Sequence, residues 1–319
     1  MSHIRSKVAV RNNWTTSNSG RQVSFYLASF ATCGTLLGNV LPHIGGVPYY
    51  VDFVRLYNKG FAVPVPDKLN QRFQRVLDLL KIDKDNKMRF IPFMACGFDM
   101  FSAGTLGRFG IHIGLPVNFT YDNVENIDKS KIKLNEQSVI WESDAGKRLL
   151  NALIVPENGQ LYAIAKEIKM RDSYKLFFDT FYATASVFLT YAGSVTLNQR
   201  LNLYSKPRSL RILGYCLIAF VNTANYVMLK DLTQHIYEEK IDKELKELSP
   251  IFAEGGKQFY TQILERNKAL RVLMGKEGEA KYTVLGNENF LIRTKHLPLV
   301  QRKAYFEEQE SSSETSLLS

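Results

Sequence analysis

Two short stretches carry the residue types that could do chemistry, each at helical spacing. In AIAKEIKMRDS, from Ala163 to Ser173, Lys166, Glu167 and Met170 lie within one turn; in YEEKID, from Tyr237 to Asp242, Glu238 and Asp242 stand four apart on one helix face. Zinc-dependent peptide hydrolysis needs two imidazoles one turn apart, a carboxylate as further ligand and a glutamate as general base. Neither Lys166 with Met170 nor Ala163 with Glu167, each four apart, supplies a pair of imidazoles. Glu238 and Asp242 fit the carboxylate part. A lysine with a lone carboxylate does not bind zinc tightly, so the residues predict no metal, no cofactor and no catalytic group. The five histidines (His3, His43, His112, His235, His296) show no metal-ligand spacing, and Cys33, Cys96 and Cys216 form no CxxC pair. Gly104, Gly107 and Gly110 precede no Lys-Ser/Thr pair and read as turn glycines, so neither a phosphate loop nor a small-molecule substrate is expected.

The elements that must position these stretches are set by hydropathy. The 319 residues are 45% hydrophobic with a mean hydropathy of −0.16, which allows membrane segments only if they are few and separated by polar stretches. Three windows are long enough: residues 23–51 as a first span and turn, 176–197 as a second span and 212–229 as a third. Between the last two lies a basic hairpin loop, 198–211, with Arg200, Lys206, Arg208 and Arg211 and no acid; residues 1–22 carry Arg5, Lys7, Arg11 and Arg21, again with no acid. Most of the net charge of +10 sits in these two segments beside apolar runs. That placement predicts a lipid bilayer, not nucleic acid, as the charged partner, and a multi-pass α-helical membrane protein. The basic residues and the Ser and Thr of 1–22 have the composition of a mitochondrial targeting segment. The positive-inside rule then puts 1–22 and 198–211 on one side, and the larger parts, 52–175 and 230–304, facing the intermembrane space.

Those larger parts read as an α+β soluble region and a helical C-terminal region. Leu69, Phe73, Val76 and Leu80 predict an amphipathic helix over 67–82 with Asp67 as its cap. Aromatic and β-branched residues with glycines over 89–121 predict short strands. Helices are expected after Asp144, after Gly159, over 231–248 continuing the third span, and from Ser249-Pro250 to Gly275. Residues 305–319, EEQESSSETSLLS at their end, are expected to be a disordered tail.

A helix bearing AIAKEIKMRDS before a membrane hairpin, and one bearing YEEKID after it, resembles the layout of HtpX-type membrane metallopeptidases; the resemblance implies such a scaffold without its metal ligands, with Lys166 and Met170 in place of the histidines and Glu167 at the base position in one register, and Ala163 and Glu167 in place of the histidines in the other. A more specific resemblance lies in the C-terminal third. GGKQFY (Gly255–Tyr260), NKALRVLMGKEGEAKYT (Asn267–Thr283), Gly286-Asn287 and KHLP (Lys295–Pro298), with weaker upstream matches in IGLP, DAGKRL and AKEI, are similar in order and spacing to the transmembrane protein 177 family. That resemblance implies the mitochondrial inner membrane and a non-catalytic role in cytochrome c oxidase assembly, binding and stabilising newly made subunit 2 and its membrane chaperone. A divergent membrane metallopeptidase is the alternative. The family offers no catalytic residues to carry over. Within its motifs Arg271, Lys276 and Lys295 are candidates to pair with acidic groups of a partner, and Phe259, Tyr260 and Tyr282 to anchor an interface.

Overall fold

The computed structural model describes residue 14 and residues 17–134, 137–290 and 293–317, the side chains of 137, 138 and 309–317 excepted. Most of the expected targeting segment therefore lies outside the described residues. In chain order the elements are α1 (Asn18–Ile44), α2 (Val47–Val54), β1 (Tyr57–Asn58), β2 (Phe61–Ala62), α3 (Asp67–Leu79), α4 (Lys84–Lys87), β3 (Phe90–Ala95), β4 (Phe101–Gly104), β5 (Ile111–Pro116), β6 (Lys133–Leu134), β7 (Gln137–Ser138), α5 (Asp144–Leu153), α6 (Glu157–Arg171), α7 (Lys175–Arg200), α8 (Arg208–Leu248), α9 (Pro250–Leu273), α10 (Lys276–Lys281) and α11 (Leu299–Leu317). Contacts divide the chain into two units, Met1–Val40 with Phe177–Lys230, and Leu41–Leu176 with Asp231–Ser319.

The first unit holds most of α1 and α7 and the first half of α8. α1 and α8 are long and apolar enough to cross a membrane, and their most apolar stretches bury none of their residues. Core helices of a soluble protein would be covered; here Phe30, Leu213 and Phe220 stand exposed, as lipid-facing side chains do. α7, the expected second span, has the length (26 residues) but not the apolarity of the other two. It pairs with α8 through small and polar groups, as helices in lipid do. A Cβ on Gly214 would meet Leu197 at 2.8 Å, Asn222 donates to Thr190 Oγ1 at 3.2 Å, and Asn198 donates to the Tyr215 hydroxyl at 2.6 Å. The basic loop is short and folded, with Asn202 left-handed (φ 48°) and the Arg21 guanidinium 4.4 Å from the Tyr204 ring.

The second unit is built around α6. Gly159 to Ala165 are all buried, because this helix is covered on several sides: by α9, by α3, and by strands β4 and β5. The sheet order is β3-β5-β4, with β3 parallel to β5 (Phe90 opposite Ile111) and β4 antiparallel to it (Phe101 opposite Gly114). Its β4–β5 connection needs the glycines noted above. Gly104 (φ 92°) and Gly110 (φ 70°) are left-handed, and a Cβ on Gly104 would lie 2.1 Å from the Gly110 carbonyl oxygen. Leu69, Phe73, Val76 and Leu77 of α3, Ile111, Ile113 and Leu115 of β5, and Phe252 and Tyr260 of α9 fill one core with Tyr162 and Ile164 of α6.

Two further expectations change in the second unit. Asp67 is the first residue of α3, whose cap position is Pro66, so it adds a negative charge to the first turn without capping it. The chain from 305 is helical: α11 runs to Leu317, held at its start by Phe306, which packs edge-on to Tyr162. Other boundaries follow the sequence closely. Ser249 caps α9 by accepting from the Ile251 N–H at 3.3 Å, α9 ends before left-handed Gly275, and α8 runs unbroken from its apolar half into its charged half.

Candidate functional site

Four helices of the second unit bring polar side chains together inside apolar surroundings. The four-residue spacing on α8 turns Glu238 and Asp242 to one side, where both are buried at 4% and 3% exposure. Arg302, from the first turn of α11 and equally buried, lies between them. Its Nε and Nη2 donate to the two oxygens of Asp242, both at 2.7 Å, and its Nη1 is 3.5 Å from Glu238. The Tyr162 hydroxyl of α6 donates to Asp242 at 2.5 Å and lies 2.8 Å from the Tyr260 hydroxyl of α9, which reaches the same carboxylate at 3.2 Å. Glu238 accepts from Gln234 and from His296, both at 2.6 Å, and from the Leu297 N–H at 2.9 Å. The lone pairs of both carboxylates are thus occupied by protein donors.

The electrostatics follow from this geometry. Burial pushes the Glu238 carboxyl up, but the His296 hydrogen bond and the charge of Arg302 outweigh it and hold the group at about 2. Burial pushes Tyr162 and Tyr260 far above the usual phenol range, so both remain neutral donors. Arg302 is desolvated too, yet the Asp242 carboxylate bonded to it holds it charged. The guanidinium supplies the positive charge that a metal would otherwise bring to such a carboxylate pair. Among the described residues no group of three or more His, Cys, Asp or Glu is placed to hold a metal ion.

Beside this network lies a cavity of about 600 Å³, lined by Lys166, Glu167, Met170, Glu238 and Arg302 among others. Four of the five positions singled out in AIAKEIKMRDS and YEEKID therefore share one space, while Asp242 is held deeper by Arg302. Glu167 accepts from Ser102 of β4 at 2.9 Å, and Ser102 accepts from Arg171 at 2.9 Å. The Lys166 ammonium is 3.5 Å from Glu167 and 5.2 Å from the Phe259 ring centre. The arrangement can bind and orient a polar group, but its carboxylates are tied to cations and donors.

The candidate partner-binding residues separate into two groups. Phe259 and Tyr260 are 7% and 1% exposed; they pack in the core and border the cavity, so neither anchors an outer interface. Arg271 donates to the Tyr282 carbonyl at 2.8 Å and to the Glu279 carbonyl at 3.2 Å, tying α10 and the residue after it to α9. Tyr282, half-buried, bridges to Glu288. Only Lys276 and Lys295 stand exposed. Other residues of the same motifs hold backbone: a Cβ on Gly255 would lie 2.2 Å from the Asn158 carbonyl oxygen, and Asn267 donates to the Gly286 carbonyl at 2.8 Å. Sequence reasoning missed Arg302, Tyr162 and His296. An Arg buried in a terminal helix carries no mark in its neighbours LVQ and KAY, and the acidic pair on α8 does not say which cation answers it.

A family model described as Transmembrane protein 177 matches residues 65–307 of this chain. The chain is 33% identical to "Transmembrane protein 177" of Mus musculus over 277 residues, covering 85% of this chain and 88% of the relative. It is 30% identical to "Transmembrane protein 177" of Homo sapiens over the same length, with the same coverage of each. A Caenorhabditis elegans protein named "Uncharacterized protein R144.12" is 25% identical over 285 residues, 81% of each chain. No solved structure matches.

Proposed function

The chain belongs to the transmembrane protein 177 family, and from that premise we propose that it is a non-catalytic assembly factor of the mitochondrial inner membrane, one that binds and stabilises newly made cytochrome c oxidase subunit 2 together with that subunit's membrane chaperone. The observation that carries the non-catalytic part is the Arg302 guanidinium between Glu238 and Asp242: a cation-filled carboxylate core leaves no lone pair to hold or polarise a reacting group. A globular unit with a dense core, joined in one chain to helices suited to lipid, is the build of a membrane-anchored holder. The basic loop 198–211 and the N-terminal segment would face the matrix, and the globular unit the intermembrane space.

Pulse-chase labelling of mitochondrial translation products tests the role. In cells lacking the protein, new subunit 2 should decay faster while other products keep their lifetimes; equal lifetimes would remove the proposal. The second reading, a divergent membrane metallopeptidase, draws on the cavity shared by Lys166, Glu167, Met170 and Glu238. Purified protein holding less than one zinc per chain leaves that reading without a mechanism.

A further inference from the structure

α2 is apolar on two faces. Val47 and Val51 are fully buried against Phe93, Ala95 and Ala103, which accounts for its inner face. Its outer face carries Tyr49 and Phe53, one turn apart and 81% and 87% exposed. A helix on the surface of a water-soluble domain presents polar groups outward; two aromatic rings there leave a large apolar area facing solvent. The only charge on the helix is Asp52, which pairs at 3.4 Å with Arg55 just past the helix end.

The position of α2 in the chain says what covers that face. It starts three residues after the end of α1, one of the helices long and apolar enough to cross a membrane. The link has no slack. The N–H groups of Gly45 and Gly46 both donate to the Leu41 carbonyl, at 2.9 and 2.8 Å, and the Tyr50 N–H donates to the Gly46 carbonyl at 3.1 Å. The backbone doubles back so closely at Gly46 that a Cβ there would lie 3.1 Å from the Pro42 Cα. A helix fixed by so tight a turn to the end of a span starts at the depth of the headgroups, where aromatic side chains with an apolar body and a polar edge are favoured.

We propose that α2 is an interfacial foot: its inner face is part of the globular core, and Tyr49 and Phe53 insert into the lipid surface at the boundary of headgroups and acyl chains, fixing the globular unit to the bilayer. This rests on the membrane insertion of α1 and on no other part of the functional reading.

The test is fluorescence quenching in the full-length protein, purified and reconstituted alone into phosphatidylcholine vesicles containing brominated lipid. The chain has two tryptophans, Trp14 and Trp141; with both changed to Phe, Phe53→Trp supplies one reporter at an exposed site, and Phe30→Trp in α1 supplies a control. The expected result is that Phe53→Trp loses emission, more to lipid brominated near the headgroup than near the chain end, as for a side chain about 5–10 Å below the surface. Phe30→Trp should be quenched as well. If Phe30→Trp is quenched and Phe53→Trp is not, α2 faces water or another protein and the inference falls alone. If neither is quenched, the membrane reading falls and takes this inference with it.

Discussion

Replacing Arg302 with Met tests the central argument most directly, because it removes the cation and keeps most of the side-chain volume. Arg302, Asp242 and Glu238 are each no more than 5% exposed, and two hydrogen bonds of 2.7 Å join Arg302 to Asp242. Removing one partner of a buried ion pair costs about 3–5 kcal/mol, since the remaining charge is left without compensation. Here Asp242 loses its cation while Glu238 keeps Gln234, His296 and the Leu297 N–H, which puts Arg302→Met within that range. The assay is urea unfolding of the full chain in detergent, followed by Trp141, which packs in the second unit. The pH dependence makes the test specific. In the wild type Glu238 is held at about 2, below its ordinary 4.5, so its contribution is present above about pH 4.5 and is lost as pH falls toward 2. In Arg302→Met one of the causes that lower the carboxyl is gone, so less of that contribution remains to be lost and the gap from wild type should narrow as pH falls from 4.5 toward 2. A cost below about 1 kcal/mol at pH 7, or a gap that widens on acidification, would refute the reasoning.

Glu238→Gln should make stability less sensitive to acid: a carboxyl moved from 4.5 to about 2 accounts for about 3 kcal/mol of the loss between those pH values, measurable as a flatter plot of unfolding midpoint against pH. Gly255→Ala places a methyl 2.2 Å from the Asn158 carbonyl oxygen and 2.9 Å from the Tyr162 Cβ, so α9 must move away from α6; a loss of about 1–3 kcal/mol is expected in the same urea assay. Ser249→Ala removes the acceptor for the Ile251 N–H and should cost about 1 kcal/mol, read as earlier amide exchange in the first turn of α9.

Which parts of this protein were legible without coordinates follows from the range of the interactions involved. Amphipathic period, capping residues and turn glycines act within a few positions, so α3, the strands between Arg89 and Tyr121, the start of α9 at Ser249-Pro250 and the continuous α8 could be read directly. Apolar length did the same for α1 and α8, because a bilayer sets a simple requirement of about 20 residues. It served less well for α7, whose polar residues bond to α8.

What only the tertiary structure decided is which residues meet. The four-residue spacing of Glu238 and Asp242 placed them on one face, but their neutralisation depends on Arg302, 60 positions after Asp242, and on Tyr162, 80 before it. Such contacts are fixed by how α6, α8, α9 and α11 pack, and no local pattern encodes them. The same packing moved Phe259 and Tyr260 from a supposed interface into the core, and made α11 a helix whose first turns are held by burial where composition alone indicated a tail. Local sequence thus set the elements of this protein, while the matching of buried charges across them set its centre, because a desolvated carboxylate must find its cation wherever the fold supplies one.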